Sequence, residues 1–188
     1  VLLLKAGPAD GSLFIRMPAA FTYVIGGSRF DWGYQTVPEP HLEDRRIPCP
    51  RGRVLGGSSS INAMAFVRGH PADFDGWAEH GLPAWSFAHC LPYFKKLESF
   101  SRGGSHYRGE HGPLEVTAPD FSNPLCEVFL AACGQAGFPA SDDTNGQQSE
   151  GFGVVDQTIH RGRRVSAADA YLHPFRGRPN LAIRAHCL

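Results

Sequence analysis

Short apolar runs and short amphipathic segments alternate along the chain, and no single period lasts. Val1 to Leu4 is wholly apolar and residues 6–8 read Ala-Gly-Pro, which is typical of a buried strand that ends in a turn. Residues 9–51 keep no period, but they contain too many aromatic side chains for a solvated linker. Toward the other end, alternating apolar positions predict strands over residues 152–159 and 181–187.

Helix signals occupy the stretches between these strands. A glycine-serine run predicts a helix over residues 61–67 with a hydroxyl at its N-cap. A proline in the first turn, with acidic residues behind it, predicts another helix over residues 71–79. Ser86 is placed to cap a third helix, in which apolar residues within 87–94 share one face and Pro92 introduces a kink.

The clearest helix begins after Asn123 and Pro124 and ends at Gly137. Its apolar side chains are predicted to face inward; they are Leu125, Val128, Phe129 and Ala132. A shorter helix is predicted over residues 166–172. Helices and strands that mix with wide loops place the chain in the α/β class, as an α+β mixture.

Charge and composition exclude several classes of function. The 188 residues contain 18 Lys+Arg and 18 Asp+Glu, and a chain with zero net charge is not expected to bind nucleic acid. No apolar run approaches the length of about 18 residues that a transmembrane segment needs. The five cysteines lack C-x-x-C spacing, which favours reduced thiols, and neither they nor the scattered histidines have the spacing of metal ligands.

The sharpest local signal is the stretch from Arg51 to Phe66, which reads RGRVLGGSSSINAMAF. Paired glycines before a helix allow backbone N–H groups to approach a phosphate or pyrophosphate closely. The stretch is not a Walker loop, because Ser58 stands where a lysine would follow, and it contains no G-x-S-x-G nucleophile elbow. From spacing alone, anion binding and a tight turn before a capped helix both remain open.

Three other local sequence patterns are interpreted as turns. Arg161, Arg163 and Arg164 surround a glycine and are expected at the tip of a hairpin. The acidic pair at residues 142–143 precedes an Asn-Gly dipeptide and is expected in a solvated turn. Residues 151–153 begin like a dinucleotide fingerprint but do not complete one.

Extended to Trp77, the stretch that begins at Arg51 closely resembles the first signature of the glucose-methanol-choline (GMC) oxidoreductases. The resemblance runs on through segments at residues 85–96, 112–116, 145–153, 163–168 and 179–181. Within the family, these segments are most similar to the choline dehydrogenases. The resemblance covers essentially the whole chain, which lacks an initial methionine and stops inside a predicted strand, so we expect an internal piece of a longer enzyme.

The resemblance implies a flavin-binding domain built on a dinucleotide-type sheet, with a separate antiparallel-sheet domain over the flavin. Residues 1–117 are expected to belong to the FAD-binding domain, with the G-x-G-x-x-G upstream of Val1. Residues 118–188 are expected to start the substrate domain and return to the FAD-binding domain. The positions expected to bind FAD, through backbone amides and the Asn62 amide, are Val54, Gly57, Ser58, Asn62, Ala63, Met64 and Ala65.

Two positions depart from the pattern of the family. Ile61 stands where some relatives carry a flavin-linked histidine, so the FAD is expected to be non-covalent. Lys5 stands where an acidic side chain normally accepts hydrogen bonds from the adenosine ribose, and an ammonium group has no acceptor. The reacting histidine of the family and its partner lie beyond Leu188, so no catalytic residue is assigned in this chain.

The activity implied by the resemblance is FAD-dependent oxidation of a CH–OH group, with choline as the favoured substrate and betaine aldehyde as its product. Another GMC alcohol dehydrogenase or oxidase, or a non-catalytic scaffold, stays an alternative. The electron acceptor, oxygen or a quinone, also stays open, as does a cytoplasmic or peripheral inner-membrane location, mitochondrial in a eukaryote. Trp32, Trp77 and Trp85 are candidate walls of a site for a quaternary ammonium group, although core packing is the simpler interpretation.

Overall fold

A computed structural model describes residues 1–27, 29–120 and 123–187 of the chain. Helices and strands alternate along it, which confirms the predicted mixed class. The chain divides into two compact units, of which the first combines Val1–Met64 with Ile159–Leu188 and the second is Ala65–Thr158. The predicted domains, residues 1–117 and 118–188, are a division by function and stay a prediction; Phe121, Ser122 and Leu188 lie outside the described residues.

In the first unit, short strands pair two by two. The pairs are β1 (Leu2–Leu4) parallel to β10 (Ala182–Arg184), β2 (Tyr34–Gln35) antiparallel to β3 (Pro48–Cys49), and β8 (Ile159–His160) antiparallel to β9 (Arg163–Arg164). The predicted first strand therefore forms, but it is not buried as expected, because Leu2 and Leu4 are each 57% exposed. The second of the two C-terminal strands is confirmed in its central part, Ala182–Arg184.

The helices of the first unit are short, and its core is small. They are α1 (Leu13–Arg16), α2 (Phe21–Val24) and α6 (Ala167–Tyr171). The predicted helix at 166–172 is confirmed as α6, which begins with a capping box: the Ser166 hydroxyl accepts from the Asp169 N–H, and the Asp169 carboxylate accepts from the Ser166 N–H. The capping box fixes the point at which α6 begins.

The second unit contains the longer helices. Its elements are α3 (Pro71–Glu79), α4 (Phe87–Leu97), α5 (Pro124–Gln135), the antiparallel pair β4 (Ala65–Phe66) and β7 (Asp156–Gln157), and the parallel pair β5 (Glu98–Phe100) and β6 (Leu114–Val116). Helices α3 and α4 pack through aromatic rings: the Phe74 ring lies 5.5 Å from that of Phe94 and 6.0 Å from that of Phe87. The three longer helices were all predicted, and α4 continues through Pro92.

Five single turns of 3₁₀ helix complete the described elements: Pro18–Ala20, Pro40–Leu42, Gly57–Ser60, Pro83–Trp85 and His173–Phe175. The helix predicted over residues 61–67 does not form; the helical residues are those of the 3₁₀ turn Gly57–Ser60. The helical turn ends at Ser60, Met64 has a φ of +62°, and strand β4 follows at once. A left-handed residue interrupts a right-handed helix, so the chain turns after the serines and becomes a strand only at Ala65.

The face predicted to be the buried side of α5 is open in this chain. Leu125 is 74% exposed, Val128 64% and Phe129 57%, whereas Cys133 is the buried residue of the helix. The ends of α5 are as predicted, because the Asn123 side chain accepts a hydrogen bond from the Leu125 N–H. The predicted strand over 152–159 is also shorter than expected, since only Asp156–Gln157 and Ile159–His160 are strands within it.

Candidate functional site

The segment of residues 54–61, called here the glycine-serine loop, has both ends fixed in the core of the first unit. Val54, at its start, is fully buried, and Ile61, at its end, is 2% exposed. Both belong to one apolar cluster with Ile15, Val24 and Phe30. The residues between these two anchors are therefore held at a defined place on the unit.

The turn of the glycine-serine loop depends on adjacent glycines with left-handed backbones, Gly56 at a φ of +87° and Gly57 at +63°. A Cβ atom on Gly57 would meet no atom within 4 Å, so its Cα borders open space. Just before the loop, Gly52 donates its N–H to the Ser58 hydroxyl at 3.1 Å, and a Cβ on Gly52 would lie 2.7 Å from the Ser58 nitrogen. The chain thus folds tightly back on itself and leaves Gly57 uncovered.

The glycine-serine loop is hydrogen-bonded to the first residue of helix α6. The Ser59 hydroxyl donates to the Gly56 carbonyl at 2.6 Å and accepts from the Ala167 N–H at 2.9 Å. The Ser60 hydroxyl is fully buried and donates to the Leu55 carbonyl at 2.7 Å. All three serine hydroxyls of the loop therefore make hydrogen bonds within the fold, and Ser58 is the serine that is also exposed.

The seven predicted cofactor positions differ in their exposure to solvent. Val54 and Met64 are buried, so only their backbone groups are available to a ligand. Gly57 is partly exposed, and the four exposed positions are Ser58, Asn62, Ala63 and Ala65. Six of the seven belong to the first unit, and Ala65 is the first residue of the second. Their role in binding a cofactor stays a prediction.

Among the described residues, the hydrogen bonds of the Asn62 side chain all end on its carbonyl oxygen. Its Oδ1 accepts a hydrogen bond from Arg164 Nη1 at 2.7 Å and another from the Met64 N–H at 3.1 Å. Arginine has donors and no acceptor, so the carbonyl end of the amide must face Arg164. Asn62 is exposed, and its NH₂ end is the end that is turned away from Arg164.

The arginine cluster lies at a hairpin, as predicted, but one of its members, Arg164, is buried. The hairpin exists, with β8 and β9 joined by Arg161 and Gly162, but Arg164 is only 3% exposed. Its Nε donates to the Ile15 carbonyl at 2.8 Å, and its Nη1 donates to the Ser59 carbonyl at 3.2 Å. Residues alternate between the faces of a strand, so Arg163 is exposed and Arg164 is not.

Burial lowers the pKa of the Arg164 guanidinium to about 10, although the charge of Asp169 acts in the opposite direction. The group therefore keeps its positive charge at neutral pH. Among the described residues, no atom accepts a hydrogen bond from its Nη2, so the side chain carries a desolvation cost that its bonds do not fully offset. Sequence reasoning missed this residue because nothing in an Arg-Gly-Arg-Arg run tells which arginine is buried.

The sequence pattern of the GMC oxidoreductases matches residues 11–188, which include the glycine-serine loop, Asn62 and Arg164. The chain belongs to the GMC oxidoreductase family. It is 50% identical, over 97% of its length, to an oxygen-dependent choline dehydrogenase of Rhizobium etli (strain CIAT 652), and 48% identical, over 98%, to one of Staphylococcus xylosus. It covers 33% and 34% of these two proteins, and so spans about a third of the length of the curated relatives that it matches.

Solved structures of two oxidases have the same fold. Pyridoxine 4-oxidase from Mesorbium loti superimposes with a TM-score of 0.92 at 36% identity, over 99% of this chain and 37% of that one. Formate oxidase from Aspergillus oryzae RIB40 gives 0.85 at 27% identity, over 99% and 34%. The mixed fold predicted from the resemblance to the GMC family is thereby confirmed.

Lys5, the departure from the family pattern, follows strand β1. Its backbone N–H donates to the Arg184 carbonyl at 2.9 Å, and its carbonyl accepts from the Cys187 N–H at 3.0 Å. The backbone at this position is fixed by the β1–β10 pairing, so a change of side chain leaves these bonds in place. The effect of Lys5 on cofactor binding stays a prediction.

The three tryptophans proposed as walls for a quaternary ammonium group do not share one environment. Trp77 and Trp85 lie with ring centroids 6.1 Å apart at 74°, and both are about half exposed. They line an apolar cavity of about 620 Å³, together with Phe74, Ala84, His89, Cys90, Tyr93 and Phe94. Trp32 belongs to the other unit, where its ring stacks on that of Tyr34 at 5.9 Å.

A buried ion network lies in the second unit. Glu98 is fully buried and accepts hydrogen bonds from Arg68 Nη2 at 2.6 Å and from Arg108 Nε at 3.0 Å. Arg108 also pairs with Asp143 at 2.6 Å and with Asp156 at 2.8 Å. Asp143 is therefore an ion-pair partner, which corrects the prediction that residues 142–143 form a solvated turn.

A smaller polar cluster in the first unit joins Asp10, Asp169 and His173, which have one potential metal-ligand atom each within 4.8 Å of one another. His173 Nε2 is hydrogen-bonded to the buried Asp10 carboxylate at 2.6 Å, and Arg176 lies 3.7 Å from the same carboxylate. These contacts account for the cluster as an ion-pair group.

The five cysteines are all free thiols, as predicted, and within the described ranges no helix has the length and hydropathy to cross a bilayer.

Proposed function

We propose that this chain forms the flavin-binding part of an FAD-dependent oxidoreductase that acts on the CH–OH group of an alcohol. The observation that carries the proposal is the glycine-serine loop, which presents the uncovered Gly57 and the outward NH₂ of Asn62 within the region that matches the GMC family. Its residues fit a flavin dinucleotide. Small exposed side chains at Ser58 and Ala63 permit close approach, and an amide donor suits the many oxygen acceptors of FAD.

The residues of this chain have binding and orienting roles in the proposed enzyme. Ile61 anchors the loop in the core and has no nucleophilic atom, so the cofactor is held there without a covalent bond. Asn62 would donate a hydrogen bond to an oxygen of the cofactor, and the open space beside Gly57 would leave room for it. When bound, FAD supplies the capacity to accept a hydride equivalent from the carbinol carbon of the alcohol. We assign no proton-accepting residue within this chain.

We also propose that residues 1–117 belong to the FAD-binding domain, and that residues 118–188 begin the substrate domain and return to the FAD-binding domain. The return is supported by the parallel pairing of β1 with β10. It is further supported by the compact unit that combines the first 64 residues with Ile159–Leu188.

Choline is the substrate we propose, with betaine aldehyde as the product and oxygen as the electron acceptor. Support comes from the names of relatives that are 48–50% identical, oxygen-dependent choline dehydrogenases. The similarity to pyridoxine 4-oxidase favours a second candidate, another alcohol such as pyridoxine. We propose a cytoplasmic or peripheral inner-membrane location, which cell fractionation tests.

The test uses the full-length enzyme that contains this chain. Heat or acid should release FAD completely from the purified protein, and the enzyme should consume choline with production of hydrogen peroxide in air. Pyridoxine and short unbranched alcohols serve as competing substrates. Turnover of one of these with no turnover of choline would move the assignment to another alcohol, and a colourless protein that takes up no FAD would refute the proposal.

A further inference from the structure

The two ends of the Asn62 amide differ in what they offer a ligand. Both recorded hydrogen bonds of this side chain end on Oδ1, from Arg164 Nη1 at 2.7 Å and from the Met64 N–H at 3.1 Å. A half-turn about the last side-chain bond would place NH₂ against these two donors and lose both bonds. The amide is therefore held in one of its two orientations.

Arg164 is itself held firmly enough to impose that orientation. Its guanidinium donates to the carbonyl of Ile15 at 2.8 Å and to that of Ser59 at 3.2 Å, in addition to Asn62. The residue is 3% exposed, so it has no room for another rotamer. Three acceptors, each more than 100 residues from Arg164 in sequence, thus fix one planar donor group.

We infer that Arg164 is a positioning residue for the cofactor, which sets the Asn62 amide so that its NH₂ faces an oxygen acceptor of FAD. The inference rests on the proposed function. Without Arg164 only the Met64 N–H holds the Oδ1 end, so for part of the time the amide presents its carbonyl oxygen to an acceptor that needs a donor. Arg164 then acts on FAD through Asn62, without touching the cofactor.

A double-mutant cycle on FAD affinity tests this inference in the deflavinated full-length enzyme. The variants are Asn62→Ala, Arg164→Met and the double variant, and the exposed neighbour Arg163→Met is the matched control. We expect Asn62→Ala to raise the Kd for FAD by about tenfold, the scale of one lost hydrogen bond to a polar ligand. Arg164→Met should raise it by a smaller factor, roughly twofold, because the amide then presents its NH₂ for only part of the time. The double variant should show about the same tenfold increase, because Arg164 has no effect once the amide is gone.

The outcomes separate the inference from the function on which it rests. A double variant whose Kd exceeds that of Asn62→Ala by the factor seen in Arg164→Met alone, roughly twentyfold in total, would mean that Arg164 acts by another route, such as its bonds to Ile15 and Ser59, and would overturn the inference alone. An unchanged Kd in Asn62→Ala would overturn the placement of FAD at this loop, and the inference with it. Urea unfolding of the flavin-free variants shows whether a Kd change merely follows lost stability.

If Arg164→Met does not fold, the variant Asn62→Asp tests whether the donor end of the amide is needed. The aspartate keeps an oxygen for Arg164 but offers no donor to the cofactor. We expect FAD to bind this variant at least as weakly as Asn62→Ala. Affinity equal to that of the wild type would overturn the inference, because the outward donor would then be dispensable.

Discussion

The carboxylate of Asp31 accepts a hydrogen bond of 3.2 Å from the backbone N–H of Arg51, twenty residues along the chain. It also accepts bonds from the N–H groups of Gly26 at 3.0 Å and Gly33 at 2.8 Å. One buried side chain thus joins two segments of the first unit just before the glycine-serine loop begins.

The first prediction concerns acid stability. Burial acts to raise the pKa of Asp31, but the three N–H donors and the charge of Arg51 outweigh it and hold that pKa below its ordinary value. A lowered pKa in the folded state means that stability is fully present above about pH 4 and is lost as the pH falls through the folded value. In Asp31→Asn, urea unfolding should show a loss of stability at pH 7 that shrinks below pH 4.

The control for this experiment is Asp142→Asn, which changes an exposed acidic side chain. It should leave the free energy of unfolding within about 0.5 kcal/mol of the wild type at every pH. A loss in Asp31→Asn that is the same at pH 3 and pH 7 would show that the charge of Asp31 contributes nothing.

The second prediction contrasts the two glycines of the loop. Gly56→Ala should destabilise the fold, because its new methyl group would collide with the Ser60 hydroxyl and lie 3.2 Å from the Ala168 Cβ. Gly57→Leu should fold with only the cost of a left-handed backbone, about 1–2 kcal/mol, but it should abolish flavin retention. Flavin absorbance after desalting and thermal unfolding measure the two effects.

Gly81→Leu separates backbone strain from blockage of the site. Gly81 also has a left-handed backbone, with a φ of +93° and open space beside it, but it lies outside the loop. We expect this variant to lose similar stability and to keep its flavin. Retention of flavin by Gly57→Leu would place the cofactor elsewhere.

The third prediction concerns the buried ion network. Glu98→Gln should destabilise the protein by about 3–5 kcal/mol, because it leaves the buried cations of Arg68 and Arg108 without their shared carboxylate. Chemical unfolding of the flavin-free protein measures the loss. The exposed Glu79→Gln is the matched control and should be nearly neutral. A loss below 1 kcal/mol for Glu98→Gln would mean that Asp143 and Asp156 compensate.

The fourth prediction is that Lys5→Glu increases FAD affinity in the full-length enzyme. A carboxylate there would accept hydrogen bonds from ribose hydroxyls, and a charge-assisted bond of about 1.5–3 kcal/mol lowers the Kd tenfold or more. The backbone bonds of Lys5 to Arg184 and Cys187 are unaffected. FAD titration at two salt concentrations measures the gain.

Lys96→Glu is the control for this change, since it reverses one exposed charge in the other unit. It should leave the Kd for FAD unchanged. Tighter binding by the lysine form, with an advantage that shrinks as salt rises, would instead show that Lys5 attracts the diphosphate.

Local signals predicted local structure well, and signals that depend on distant partners did not. The proline at the start of α3 and the Asn-Pro start of α5 are visible in the sequence, because a cap and its helix are neighbours. The inward face of α5 was wrong, because periodicity shows that Leu125 and Phe129 share a side but not that anything covers it. Arg164 was missed because its acceptors lie far away in sequence, at Ile15, Ser59 and Asn62.

The span between Asn62 and Arg164, 102 residues, has a consequence for biosynthesis. Ribosomes add about 5–20 residues per second, so Asn62 emerges about 5–20 s before its partner. During that interval the residues of the second unit emerge and are free to fold, whereas the loop lacks both α6 and its arginine. The surface that we assign to FAD therefore gains its contacts to Arg164 and α6 only after the whole of the second unit has emerged.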